Sequence, residues 1–458
     1  MQHIKLVVIT AFAMLISFGQ SQVIAQSSNT TYNRIDKVMD WGATTTHLIV
    51  DLGDDVRRGR VDADTFSVFV RRSDSRLEQP FLEEGTRNVV DAYISDENGN
   101  AVRTGRYATL VMEIGPSISL GNALNYGMDP EVGSNFNAWS QNEYTITQQE
   151  PIRGIGGGLI AAEMDQYIQA GINQFEFDSA SYEDEEYGLI EMQYAHFTPE
   201  EDRDQNPLII WLHGGGEGGT DPTIPVAANR ADSFASDETQ AYFDGAYVLV
   251  PQSPTRWMHG PTEQRGAIKE DALSIYTRAV QDLVETFVDA QPDIDTDRIY
   301  IAGASNGGFL TVRLVLDYPD YYAAALPVCE PLSLDYVSEE ELKEIVDLPI
   351  WIVTAANDGV VMPEVFSFPL YSKLRRLGAE NIHMSVLPSV TDMSGNYFSE
   401  DGTPHEYNGH WSWIPTYNNH LAYVEGSGQL YGPVVQEVEQ VSGRDVVTVM
   451  EWLAAQSK

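Results

Sequence analysis

The chain has 458 residues, enough for two or three domains at ~100–200 residues each. It carries 68 acidic against 27 basic side chains, a formal net charge of −41 spread along its whole length. Such a field repels nucleic acid and anionic membranes, favours solubility, and suits saline surroundings where salt screens self-repulsion.

Met1 to Lys5 places one positive charge before an apolar run from Leu6 to Phe18, and Val23-Ile24-Ala25 puts small residues ahead of Gln26. That pattern predicts a cleavable signal peptide over 1–25, and the run falls short of the ~20 apolar residues that span a bilayer. The expectation is a secreted or periplasmic protein with no membrane insertion. Cys329 is the only cysteine, so no internal disulfide can form, and its apolar surroundings suggest a buried small hydrophobe.

From Tyr32 to Ile146 the texture is β. Thr44 to Val50 and Thr65 to Val70 read as strands, the second with Phe66, Val68 and Val70 on one face. Asn88 to Ile94 and Tyr107 to Glu113 flank Asn98-Gly99, a strong turn signal. Short strands punctuated this often predict a small antiparallel sandwich over 26–150. Residues 151–172, with the glycine-rich Arg153 to Gly158, read as a connector.

Beyond it, strands and helices alternate. Gly188 to His196 is a first strand. Near-continuous apolar runs follow at Pro207–Leu212, Ala246–Val250, Arg298–Ala302, Ala323–Val328, Leu348–Val353 and Asn381–Leu387, as strands buried on both faces require. Helical spacing is clearest from Glu270 to Ala290 and recurs from Val446 to Ala455. The fold class is therefore α/β, a doubly wound, mostly parallel sheet over 173–458, preceded by the small all-β sandwich.

The strand Arg298–Ala302 runs into Gly303-Ala304-Ser305-Asn306-Gly307, and Phe309, Val312 and Leu316 then recur at helical spacing. Strand, G-x-S-x-G, helix is the pattern of a nucleophile elbow, with Ser305 at the strained turn. Attack by a serine also needs a base, an orienting acid and donors for the oxyanion. His213-Gly214-Gly215-Gly216-Glu217 follows a core strand, where consecutive glycines let backbone N–H groups turn toward a substrate oxygen. Gly215 and Gly216 are the candidate donors there, with the Asn306 N–H as their partner. Asp358, beside Gly359 at a strand end, is placed to orient a histidine. Of His383, His405, His410 and His420 downstream, His410 in Asn408-Gly409-His410-Trp411-Ser412-Trp413 is favoured as the base and His405 is its rival.

Taken together with Val250-Pro251-Gln252, these motifs resemble the α/β-hydrolase esterases that carry an N-terminal immunoglobulin-like domain. Those are relatives of prolyl-oligopeptidase-type and polyhydroxybutyrate-depolymerase-type hydrolases. The resemblance implies a triad of Ser305, Asp358 and His410. Asn306 departs from the Met or Gln commoner at its place, which spares the backbone donor. Trp257, Met258 and Trp411 are candidates to line an acyl or aryl pocket, and Glu217 to brace the glycine loop. Asp293, Asp295 and Asp297 lack the glycine and glutamate of a calcium loop, so no metal is expected. No cofactor is expected either.

The function expected is a serine carboxylesterase acting through an acyl-enzyme on a small-molecule or polymeric ester. A peptidase of the prolyl-oligopeptidase type is the rival, weakened by the missing propeller, and a noncatalytic carbohydrate- or surface-binding protein is the alternative of another class. Every candidate catalytic group lies after residue 200. The N-terminal domain is therefore expected to shape the mouth of the site or hold a bulky substrate near it.

Overall fold

The computed structural model describes residues 28–130, 132–200, 205–260, 272–424, 430–431, 440–441 and 444–458. The signal peptide expected over 1–25 lies outside the described residues. The first strands are β1 (Ser28–Met39), β2 (Gly42–Arg57), β3 (Phe66–Ser73), β4 (Phe81–Arg87) and β5 (Val89–Ser95). Next come β6 (Thr104–Met112), the hairpin β7 (Leu124–Asp129) and β8 (Ser134–Trp139), then β9 (Gln141–Gln148) and β10 (Leu159–Ala170).

All but the hairpin join one sheet in the order β4-β3-β9-β10-β1-β2-β6-β5. Val68 and Val70 of β3 and Ile146 of β9 share a core with Leu48 and Val50 of β2 and Leu110 of β6. The strand order therefore folds back on itself as a sandwich. Phe66, Val68 and Val70 do point inward, because successive side chains on a strand face opposite ways. Gly99 turns between β5 and β6 at φ +86°, a backbone geometry that suits glycine.

The stretch read as a connector is partly a strand. β10 pairs in parallel with β1, from Ser28↔Leu159 to Lys37↔Ala170, so the first sheet reaches Ala170. Its side chains from Ala162 to Tyr167 are exposed, which removes the apolar alternation that marks a strand in sequence.

The second sheet comprises β11 (Glu176–Asp184), β12 (Gly188–Phe197), β13 (Asn206–Leu212), β14 (Tyr247–Gln252) and β15 (Ile294–Ala304). It continues with β16 (Ala324–Val328), β17 (Ile350–Ala355) and β18 (Ile382–Leu387). Its order is β11-β12-β14-β13-β15-β16-β17-β18, antiparallel only through β11 and β12. β13 is buried along its whole length. Ile209 and Trp211 pack into one core and Leu208, Ile210 and Leu212 into another, so each face of the sheet is covered. β11 escaped the sequence reading because, as an edge strand, it is mostly exposed.

Two helix boundaries differ from expectation. The helix placed at Glu270–Ala290 begins at Thr277, since Ala272 has φ +51°, outside the helical region. The last helix is Val449–Ala454. Thr448 and Glu451 form a capping box that starts it, and the preceding Val446 and Val447 pair with Val424 and Tyr423 as a strand.

The two sheets are not loosely tethered. Val38, Ala43 and Ala123 belong to the same core as Val226, Ala227 and Trp211. Arg230 donates to both Asp40 and Asn418, and Trp139 Nε1 donates to Thr223 Oγ1 at 2.8 Å.

Candidate active site

Ser305 stands between β15 and the helix Asn306–Asp317 at φ +54°, ψ −113°. A non-glycine residue there is strained, and the surroundings hold it: its N–H donates to Val328 O of β16 at 2.8 Å. Gly307 shows why the flanking residues are small. A Cβ built on it would lie 2.0 Å from Leu212 O of β13, so no side chain fits.

Asp358 follows β17 in a tight turn. Its Oδ1 accepts the N–H groups of Val360 and Val361, both at 2.8 Å, and its Oδ2 accepts His410 Nδ1 at 2.8 Å. His410 Nε2 in turn lies 2.9 Å from Ser305 Oγ. With Nδ1–H donating to the carboxylate, Nε2 is left to accept the serine hydroxyl proton. The histidine loop reaches this position by crossing the aspartate turn closely. A Cβ on Gly409 would meet Asn357 Oδ1 at 2.3 Å, which explains the glycine before the histidine.

The other histidines are elsewhere. His405 lies against Tyr407 at 4.9 Å, and His383 stacks on Tyr423 at 4.5 Å. His213 is wholly buried, with Nδ1 on Gly214 O at 2.6 Å and Nε2 accepting Ser253 N–H at 3.1 Å. Burial pulls its pKa down to about 4, so it is a neutral brace for the glycine loop.

The glycine candidates separate spatially. Gly215 faces the elbow, where a Cβ on it would be 3.6 Å from Asn306 Cβ, whereas Gly216 faces Tyr126 and Asn137 of the β7–β8 hairpin. As the first helical residue, Asn306 has no intrahelical acceptor for its N–H. Its side chain is engaged, Oδ1 accepting Met258 N–H at 3.2 Å. Glu217 is buried beside them, and burial pushes its carboxyl up to about 7 against the pull of Asn137 and Arg256.

These groups open onto a cavity of about 610 Å³ at the carboxyl edge of the parallel strands, where open α/β sheets hold ligands. Trp411, Trp413 and Met258 of the catalytic half line it together with Trp41, Leu124 and Tyr126 of the N-terminal domain. Trp257 does not line it. That ring is wholly buried, donates Nε1 to His213 O at 3.1 Å and packs 4.8 Å from His213. Cys329 is buried as expected, but its sulfur lies within 4.8 Å of the donor atoms of Asp358 and His410. Such a trio could suit a metal, yet Asp358 and His410 are already bonded to each other. Asp293 and Asp295 are engaged as turn residues, by Tyr247 and Arg298 respectively. Sequence reasoning missed Trp41, Tyr126, Asn137 and the place of Cys329, since nothing local to those residues marks them.

Residues 31–161 match the model of the esterase Ig-like N-terminal domain, and residues 276–343 match that of the prolyl oligopeptidase family. A crystal structure of a thermostable esterase superposes with a TM-score of 0.69 at 24% identity, covering 93% of this chain and 100% of that one. The chain has the α/β-hydrolase fold, preceded by a domain that matches the esterase Ig-like model. Poly(3-hydroxyalkanoate) depolymerase C of Paucimonas lemoignei is 29% identical to it over 130 residues. That match spans 27% of this chain and 27% of the depolymerase. Among the described residues no helix is long and apolar enough to cross a membrane.

Proposed function

We propose that the protein is an exported serine carboxylesterase. Ser305 Oγ attacks the ester carbonyl while His410 Nε2 takes its proton and Asp358 holds the ring and its charge. The N–H groups of Gly215 and Asn306 receive the oxyanion, with Gly216 behind them. The alkoxide leaves with the proton from His410. Water then attacks the acyl-enzyme, again through His410, and releases the acid and the free serine. In this reading the N-terminal domain ends near Ala170 and the catalytic domain runs on from Glu176.

The observation that carries the proposal is the chain of two hydrogen bonds, 2.9 Å from Ser305 to His410 and 2.8 Å from His410 to Asp358, opening onto a cavity. The match of residues 276–343 to the prolyl oligopeptidase family keeps amide hydrolysis as a second reading. Assaying p-nitrophenyl esters of graded acyl length beside peptide p-nitroanilides separates the two. Ester turnover is expected to exceed amide turnover, and a preference for the anilides would overturn the esterase reading.

Activity should rise with pH, because only the neutral imidazole can accept the serine proton. Burial disfavours the His410 imidazolium, but the Cys329 sulfur and the Asp358 carboxylate favour it more, and the net direction is up. The acid limb of kcat/KM is therefore expected to have its midpoint above 6.5, the ordinary histidine value. A limb centred at or below that value in a kcat/KM titration would contradict this placement of the charges.

A further inference from the structure

A run of glycines has no side chains to hold its peptide planes, and each plane can rotate at little steric cost. In every planar trans peptide the N–H points opposite to the C=O, so anchoring a carbonyl aims the next residue's N–H. The loop 214–217 is anchored in this way from the N-terminal domain. Asn137 of β8 donates its backbone N–H to Gly216 O at 2.7 Å and its side-chain Nδ2 to Glu217 Oε1 at 2.8 Å. Arg256 Nε donates to Gly215 O at 3.0 Å, and its Nη2 reaches back to Asn135 O of the same strand at 3.4 Å. Phe136, between those two residues, lies 5.8 Å from the Arg256 guanidinium.

Glu217 closes the turn: the N–H aimed by the anchored Gly216 carbonyl is its own, and it donates to Gly214 O at 3.4 Å, the carbonyl of the peptide that carries the Gly215 N–H. Glu217 is 5% exposed, Gln252 Nε2 donates to its carbonyl at 2.9 Å, and a Cβ on Gly214 would stand 2.9 Å from its Oε2. Among the described residues, Asn137 is the only side chain that hydrogen-bonds its carboxylate. A buried carboxylate deprived of that donor would move toward other donors, and the turn would move with it.

We propose that Asn137 is a positioning residue for the oxyanion donors, acting through Gly216 and Glu217. The N-terminal domain thereby takes part in the chemistry and does more than shape the mouth of the site. The inference rests on the esterase reading above.

The test compares full-length wild type, Asn137→Ala, Asn137→Asp and the pair Asn137→Asp/Glu217→Gln. The readouts are kcat and KM with p-nitrophenyl acetate, the rate of fluorophosphonate labelling at Ser305, and thermal unfolding. The backbone bond to Gly216 survives all of these changes, so the side chain alone is probed. Losing an oxyanion donor outright costs ~10²–10³ in kcat, and a displaced donor costs part of that. Asn137→Ala is expected to lower kcat and the labelling rate by ~10-fold with KM nearly unchanged. Asn137→Asp sets two carboxyl groups against each other and is expected to lose more. In the pair, the amide introduced at position 217 can donate to the carboxylate introduced at position 137, and most of the loss should return.

A folded Asn137→Ala with kcat within twofold of wild type, or a pair no better than Asn137→Asp, overturns the proposal. A wild type that neither hydrolyses the ester nor labels would instead sink the esterase reading itself.

Discussion

Ser305→Ala is expected to lower kcat by ~10⁴–10⁶-fold while the protein stays folded. The substitution removes the hydroxyl oxygen proposed to bond with the acyl carbon, the Oγ lying 2.9 Å from His410 Nε2. It keeps the Cβ and the strained backbone at φ +54°, so the elbow neither gains nor loses strain. The lost hydrogen bond is worth about 1 kcal/mol, which a domain of this size tolerates. Residual turnover should come from the oxyanion donors and substrate binding alone. Steady-state kinetics with a p-nitrophenyl ester, fluorophosphonate labelling and a melting curve measure all three points. A well-folded variant that keeps more than a few per cent of activity would show that another group is the nucleophile.

His410→Ala should match the serine variant, because groups that act as a unit fail together, and the double variant should be no worse than either. His405→Ala should keep most of the activity. The His405 ring packs 4.9 Å from Tyr407, and its hydrogen bonds run through the backbone, its N–H to Tyr397 O and its carbonyl to Asp392 N–H. His410, in contrast, bonds Ser305 and Asp358 at once. Turnover numbers for the two single variants decide the matter. Loss at His405 with retention at His410 would mean that the loop rearranges and that the other histidine is the base.

Much of the catalytic half was legible because its signals are local. β13 reads as a strand from its unbroken apolar run, since both of its faces are covered. The elbow reads from G-x-S-x-G between a strand and a helix, because only glycines survive the approach of Gly307 to Leu212. β10 and β11 left no such trace. Both are largely exposed and are held by backbone pairing, with β1 and β12 respectively, which is indifferent to side-chain hydrophobicity. Trp257 shows the opposite failure. Its position after a strand end suits a pocket wall, but its indole turns inward to His213 O, a direction that position along the chain does not encode.

What the sequence determined by itself was the order of the buried strands of the second sheet and the strained serine at the end of one of them. Periodicity and glycine spacing act over a few residues, and the same short-range sterics that build those elements write them into the chain. The tertiary structure decided which histidine meets Ser305, which glycine faces the elbow and which aromatics face the cavity. It also decided that Asn137 reaches Glu217, a residue 80 positions away. Those are distances between segments brought together by shared cores, and burying apolar surface constrains where segments pack without marking the polar residues that happen to meet there.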